Sequence, residues 1–177
     1  MSMQKQPEEP LALDPVTGVS TRAFFDTRCN QEWRRGTRDG SSLSLLMIEI
    51  DGFKTARSSS GKSDADDCLN RVAAVLRSNL SRPGDFVARY EEACFAVLLP
   101  ITDSVGALIV AEDLRKAVEA LALAPSCLGK RRVTVSLGVA SIVPSKDLAL
   151  PALIAASEKA LVTARREEGN HVERAIL

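Results

Sequence analysis

Two apolar runs, residues 86–90 and 95–99, flank a tight polar centre at Glu91-Glu92-Ala93. That pattern predicts two antiparallel strands joined by a short hairpin. The 177 residues, 45% of them hydrophobic, are enough for one domain with a proper core. Twenty-three basic residues balance 23 acidic ones, so no global field steers the chain toward nucleic acid or an anionic membrane. No apolar run approaches the ~18 residues needed to span a bilayer. No secretory signal is visible in the polar residues 1–10. Cys29, Cys68, Cys94 and Cys127 are scattered without a C-x-x-C, the usage of small buried hydrophobes in a reducing cytoplasm. His171 is the only histidine, which excludes a histidine-rich metal site.

Residues 1–11 read as a flexible leader and residues 12–177 as a single domain. Asp14-Pro15 and Thr17-Gly18 mark a turn, and Ser20 or Thr21 caps a helix through Phe24 to about Arg35. Residues 36–42 are a polar connector. Residues 43–50 are a nearly continuous apolar run, expected of a strand covered on both faces. A Ser- and Gly-containing loop is expected over 55–63, then a helix over 64–80 with one buried stripe. Asp103 or Ser104 caps a helix to about Leu123, with Val105, Leu108, Ile109, Leu114, Ala117, Val118 and Leu121 inward.

Residues 125–130 are expected as a loop, 132–143 as a long strand, 148–166 as a helix and 172–176 as a closing strand. Strand–helix–strand units embedding a hairpin, with helices packed on one side, predict an α+β fold of ferredoxin-like pattern. Arg34-Arg35 and Lys130-Arg131-Arg132 read as solvated charge, and Trp33 as packing of the first helix. Cys94 reads as a core residue rather than a nucleophile.

Several stretches carry a resemblance: Asp14-Pro-Val-Thr-Gly18, Leu45-Leu-Met-Ile-Glu-Ile-Asp51 with Phe53-Lys54, Arg82-Pro-Gly-Asp85, Phe95-Ala-Val-Leu-Leu-Pro100 and Val133-Thr-Val-Ser-Leu-Gly-Val-Ala140. In this order they resemble the GGDEF (diguanylate cyclase) family, over residues 13–172. The resemblance implies a palm-like fold, with a mainly antiparallel central sheet flanked by helices. Family members hold one GTP per domain, and two domains meet to make cyclic di-GMP with two divalent metals on the phosphates.

The family's signature glycines and carboxylate fall on Glu91, Glu92 and Ala93. Glu49 matches one metal-binding carboxylate, within Glu49-Ile-Asp51-Gly-Phe53-Lys54 where D-x-D-x-F-K is usual. Ala93 matches the other, and a methyl group cannot coordinate a metal. Where glycines let the backbone approach the nucleotide, Glu91 and Glu92 place side chains and two negative charges before a triphosphate. A like-charge pair at ~5 Å costs roughly 3 kcal/mol at an effective dielectric of ~20. Arg57 stands where the family reads guanine with Asn, while Asp66 keeps the matching acidic position. Lys54 and Arg165 match phosphate-contacting positions, and Gly169 replaces a phosphate-contacting Arg.

Arg82 and Asp85 match the family's R-x-x-D inhibitory site, a receptor for its product. Arginine forks to guanine O6 and N7, and aspartate accepts from N1 and N2. The family adds an Arg from the next helix; that position is Asp113 here, with Arg115 nearby. The expected function is a catalytically inactive domain, with no resident cofactor or metal, that binds cyclic di-GMP as a homodimer or alongside other signalling domains. Magnesium would enter only with residual GTP. The alternatives are a nucleotide-independent dimerisation or protein-interaction scaffold, and an active diguanylate cyclase. A turn is the competing reading of Arg82–Asp85, with Pro83-Gly84 at the bend.

Overall fold

The computed structural model describes residues 13–121 and 132–177. The expected leader, the 125–130 loop, Cys127, Lys130 and Arg131 lie outside the described residues. The order is α1 (Arg22–Asp39), β1 (Leu43–Ile50), α2 (Phe53–Ser60), α3 (Lys62–Ser78), β2 (Phe86–Arg89), β3 (Cys94–Pro100), α4 (Ser104–Glu119), β4 (Val135–Ile142), α5 (Leu150–Arg166) and β5 (Val172–Arg174). One sheet of order β2-β3-β1-β4-β5 results, antiparallel except for the β4–β5 pair.

β1 lies at the centre because its residues are apolar on both faces. Leu46, Ile48 and Ile50 join one core with Leu69, Val72 and Leu76 of α3 and Leu114 and Val118 of α4. Leu43, Leu45 and Met47 join a second core with Phe25 and Cys29 of α1 and Leu153 and Leu161 of α5. Helices therefore cover both faces of the sheet, not one as the element order suggested. The α5 approach is close. A Cβ on Gly138 of β4 would stand 2.1 Å from the Ser157 carbonyl oxygen, so only glycine fits beneath that helix.

Thr21 caps α1, its hydroxyl accepting from the Phe24 amide, and α1 runs on through the expected connector to Asp39. The expected 55–63 loop is instead mostly helical. In α2, Phe53 is buried in the core, and the Ser58 and Ser59 hydroxyls donate back to the Lys54 and Thr55 carbonyls. Those serines give the stretch a loop-like composition while sitting on an exposed helical surface. In α4 the buried positions are Ala107, Ala111, Leu114 and Val118. Val105 and Ile109, expected inward, face solvent because two small alanines supply the stripe that approaches the sheet.

The Asp14–Gly18 turn forms as expected and is latched to the hairpin. The Thr17 amide and hydroxyl donate to Asp14 Oδ2 at 2.9 and 2.8 Å, and Arg89 donates to the same oxygen at 3.3 Å. Burial pushes the Asp14 carboxyl up, but the Thr17 and Arg89 contacts outweigh it and hold the group below its ordinary range. Arg89 also donates to the Glu92 carbonyl at 2.9 Å, fixing the hairpin tip against the N-terminal turn.

Candidate functional site

The end of β1, the start of α2, the hairpin tip and the end of α5 converge on one side of the sheet. Glu49 pairs in register with Cys94 across β1–β3, and the Ile50 amide donates to the Ala93 carbonyl at 3.2 Å. Glu49 and Ala93, the two positions matched to metal ligands, are thus neighbours. Their chemistry does not fit a metal pair. Ala93 offers a methyl group packed against the core, and Glu49 Oε2 is 3.4 Å from Arg165 Nη1. Among the described residues, no three His, Cys, Asp or Glu side chains stand together as metal ligands.

The expected pair of bare negative charges is not what forms. Arg57 of α2 makes an ion pair with Glu92, and Glu91 stands 4.0 Å from Arg22. Arg57, which the resemblance matched to a base-reading Asn, therefore reaches Glu92, which it matched to a signature glycine. Each new acid at the hairpin tip has a cation within reach, so its charge is offset locally. The site is crossed by side chains rather than surrounded by a repulsive field. Lys54 is exposed and Asp66 is half-buried on α3.

Asp51 is committed elsewhere. Its carboxylate accepts from Thr134 and Ser136 hydroxyls at 2.8 and 2.7 Å and from the Asn170 amide at 2.7 Å. Glu168, Gly169 and Asn170 all have left-handed backbones, so this turn wraps directly onto the acid. A Cβ on Gly169 would lie 2.8 Å from the Asp51 carboxyl carbon. Gly169 thus has a packing role of its own beyond the absence of an arginine. Asn170 in turn accepts from Arg115 at 3.0 Å, and Arg115 also binds Glu112 and Glu119 at 3.0 and 2.8 Å. Arg115 is held in this network, and no hydrogen bond joins it to Arg82 or Asp85. Thr134, Ser136 and Asn170 carried no sequence signal that would have linked them to Asp51.

The R-x-x-D segment is a turn closed by the Asp85 amide donating to the Arg82 carbonyl at 3.1 Å. Its two charged side chains diverge. Arg82 Nη2 donates to the Pro100 carbonyl at 3.1 Å, and Nη1 donates to the Thr102 hydroxyl and to the Ile101 carbonyl at 3.4 Å. Asp85 Oδ1 is buried and receives no hydrogen bond from the described residues. Burial raises the Asp85 carboxyl above its ordinary range, and the Arg82 charge only partly offsets this. A shallow cleft of ≈ 410 Å³ opens beside Arg82, bounded by Ser41, Ser42, Thr102 and Gly106. A second concavity, ≈ 640 Å³, is an open groove between α1 and residues 145–148 and contains none of these residues.

Cys29, Cys68 and Cys94 are buried. Burial pushes the Cys94 thiol up to about 12, with Glu49 and Glu91 adding to the shift, which excludes it as a thiolate nucleophile at neutral pH. Trp33 packs against the second core, as expected. Among the described residues, no helix is long and apolar enough to cross a membrane.

Residues 11–171 match the family profile described as diguanylate cyclase, GGDEF domain. The chain belongs to the GGDEF domain family. It is 35% identical over 168 residues to diguanylate cyclase A of Treponema denticola, covering 93% of this chain and 44% of that protein. The chain spans less than half the length of the curated relatives it matches. Among solved structures, the GGDEF domain of DgcB from Caulobacter crescentus, in complex with c-di-GMP, superposes with a TM-score of 0.86. That likeness covers 100% of both chains at 22% identity and shows the fold. Diguanylate cyclase SiaD of Pseudomonas aeruginosa, solved with its activator SiaC, gives 0.85 at 28% identity, over 93% of this chain and 62% of that one.

Proposed function

We propose that this GGDEF domain has lost cyclase activity and serves as a receptor for cyclic di-GMP through Arg82 and Asp85. The observation that carries the first half is the occupation of the former nucleotide site. Ala93 has no ligand atom, while Arg57–Glu92 and Arg165–Glu49 tie its remaining charges to one another. GTP with magnesium would have to break both pairs and still lack one carboxylate. The second half is supported by the open valence at Asp85. Asp85 Oδ1 lacks a donor of the kind that guanine N1 and N2 supply, and once the turn rearranges to uncover it, Arg82, three residues away, can leave the loop to meet the Hoogsteen edge.

Cyclic di-GMP stacks as a two-fold pair, so one ligand dimer bridges two copies of the domain. The partner is then a second GGDEF domain or an attached signalling domain, acting in the cytoplasm. The scaffold reading draws on one observation: Arg82 is already hydrogen-bonded to the Pro100–Thr102 loop. Incubation with GTP and magnesium, followed by chromatography, tests the loss of turnover, and product abolished by Glu49→Ala would overturn it. Equilibrium dialysis with labelled cyclic di-GMP tests the receptor, which requires retention by the native chain and loss in Arg82→Ala.

A further inference from the structure

Ile101 has φ = 52°, in the left-handed region that a β-branched residue rarely adopts. Its side chain is 54% exposed, so burial does not hold it there. What surrounds it is a set of hydrogen bonds to the backbone on either side. Arg82 grips the acceptors of three successive residues, Pro100, Ile101 and Thr102. The Thr102 hydroxyl donates to the Pro100 carbonyl at 3.1 Å, closing the loop on itself. Beneath, buried Ser44 of β1 donates to the Thr102 carbonyl at 2.6 Å. Asp103 follows and caps α4 through the Gly106 amide at 2.9 Å.

We propose that Arg82 is a clasp that holds Ile101 in this strained conformation, and that capture of a ligand by the R-x-x-D turn must open it. This rests on the receptor reading above and adds how that site is regulated. In the clasped state the guanidinium faces the loop while the Asp85 oxygen lacks a donor, so the two recognition groups do not point at a common ligand. A guanine base needs both. Swinging Arg82 toward the base withdraws its bonds from the loop, and Ile101 relaxes to an ordinary backbone. The relaxation is read out at Asp103, the cap of α4, one residue past Thr102. Ile101, Val105 and Ile109 are exposed there, so this apolar strip shifts with ligand state.

The energetics fix the signs of the test. Strain released when the clasp opens favours the ligand-bound state, so removing the strain in advance disfavours it. Ile101→Gly, which touches no ligand group, weakens cyclic di-GMP binding by about fivefold. Thr102→Val, which deletes one acceptor of the clasp, tightens binding by about threefold.

A melting cycle examines the clasp without any ligand. Arg82→Ala loses the clasp bonds but gains the relaxation, so its drop in Tm is smaller with Ile101 than in the Ile101→Gly background, by about 3 °C. The cycle cancels the extra freedom that glycine gives the unfolded chain. Equal drops in both backgrounds overturn the clasp, and unchanged affinity in Ile101→Gly overturns the exchange. Should the native chain not bind cyclic di-GMP at all, the receptor reading and the exchange fall together, and the melting cycle still decides the clasp.

Discussion

The charge cluster at the hairpin tip and the R-x-x-D turn hold the same kinds of side chain and use them in different ways. In the cluster, acids and bases from separate elements meet: Arg57 with Glu92, Arg165 with Glu49, Arg22 with Glu91. At the turn, Arg82 and Asp85 sit three residues apart without a hydrogen bond between their side chains, and Asp85 keeps an oxygen without a donor. The first arrangement is closed by its own charges. The second retains a buried acceptor whose satisfaction requires something to arrive. Residue types therefore do not by themselves say whether a site is receptive: the hairpin-tip charges are paired with one another, while at the turn Arg82 is held by the Pro100–Thr102 loop and Asp85 keeps an acceptor without a donor.

Substitutions that probe this contrast fall in a definite order. The largest effect is expected at Asp51, which the family motif places in the nucleotide site and the structure places in a three-bond network. Asp51→Ala leaves those donors unpaired and costs about 3 kcal/mol, a Tm loss of roughly 8 °C in calorimetry. An unchanged Tm would return Asp51 to the class of solvated relics. Next is Gly169→Ala, whose Cβ meets the Asp51 carboxyl in a left-handed backbone. It costs about 2 kcal/mol, read as a shift in the urea midpoint with an unchanged slope.

Asp85→Asn has a smaller effect with a characteristic pH dependence. The folded-state pKa is raised by burial, so the charged carboxylate opposes folding at neutral pH and the opposition disappears as pH falls below the ordinary carboxylate range. Asp85→Asn accordingly raises Tm by roughly 1–2 °C at pH 7, with the gain fading in acid. A gain independent of pH would place its origin elsewhere. The smallest change is Glu92→Ala. The pair it breaks is half-exposed, so Tm moves by about 1 °C or less.

Much of the fold was legible because its signals are local. The continuous apolar run of β1 announces a central strand, and Thr21 and Asp103 cap the helices they precede. The exceptions have local causes too. Serines facing solvent disguised α2, and alanines disguised the buried stripe of α4, leaving Val105 and Ile109 as false core residues. The site was legible in its composition, with alanine at position 93 where the resemblance implies a carboxylate. Its compensations were not. Asp51 meets Ser136 across 85 residues and Asn170 across 119, distances at which no periodicity or cap speaks. Arg115 was assigned by proximity along a helix, yet its position turns it toward Asn170 and Glu119, away from the R-x-x-D turn.

The most direct test is calorimetric titration of the nucleotide-free protein with cyclic di-GMP and, separately, with GTP and magnesium, each repeated on Arg82→Ala. The proposed receptor, with its charges at the hairpin tip paired among themselves, predicts micromolar or tighter binding of cyclic di-GMP that Arg82→Ala removes, and no heat with GTP. A flat titration with cyclic di-GMP, or saturable binding of GTP and magnesium, would contradict it.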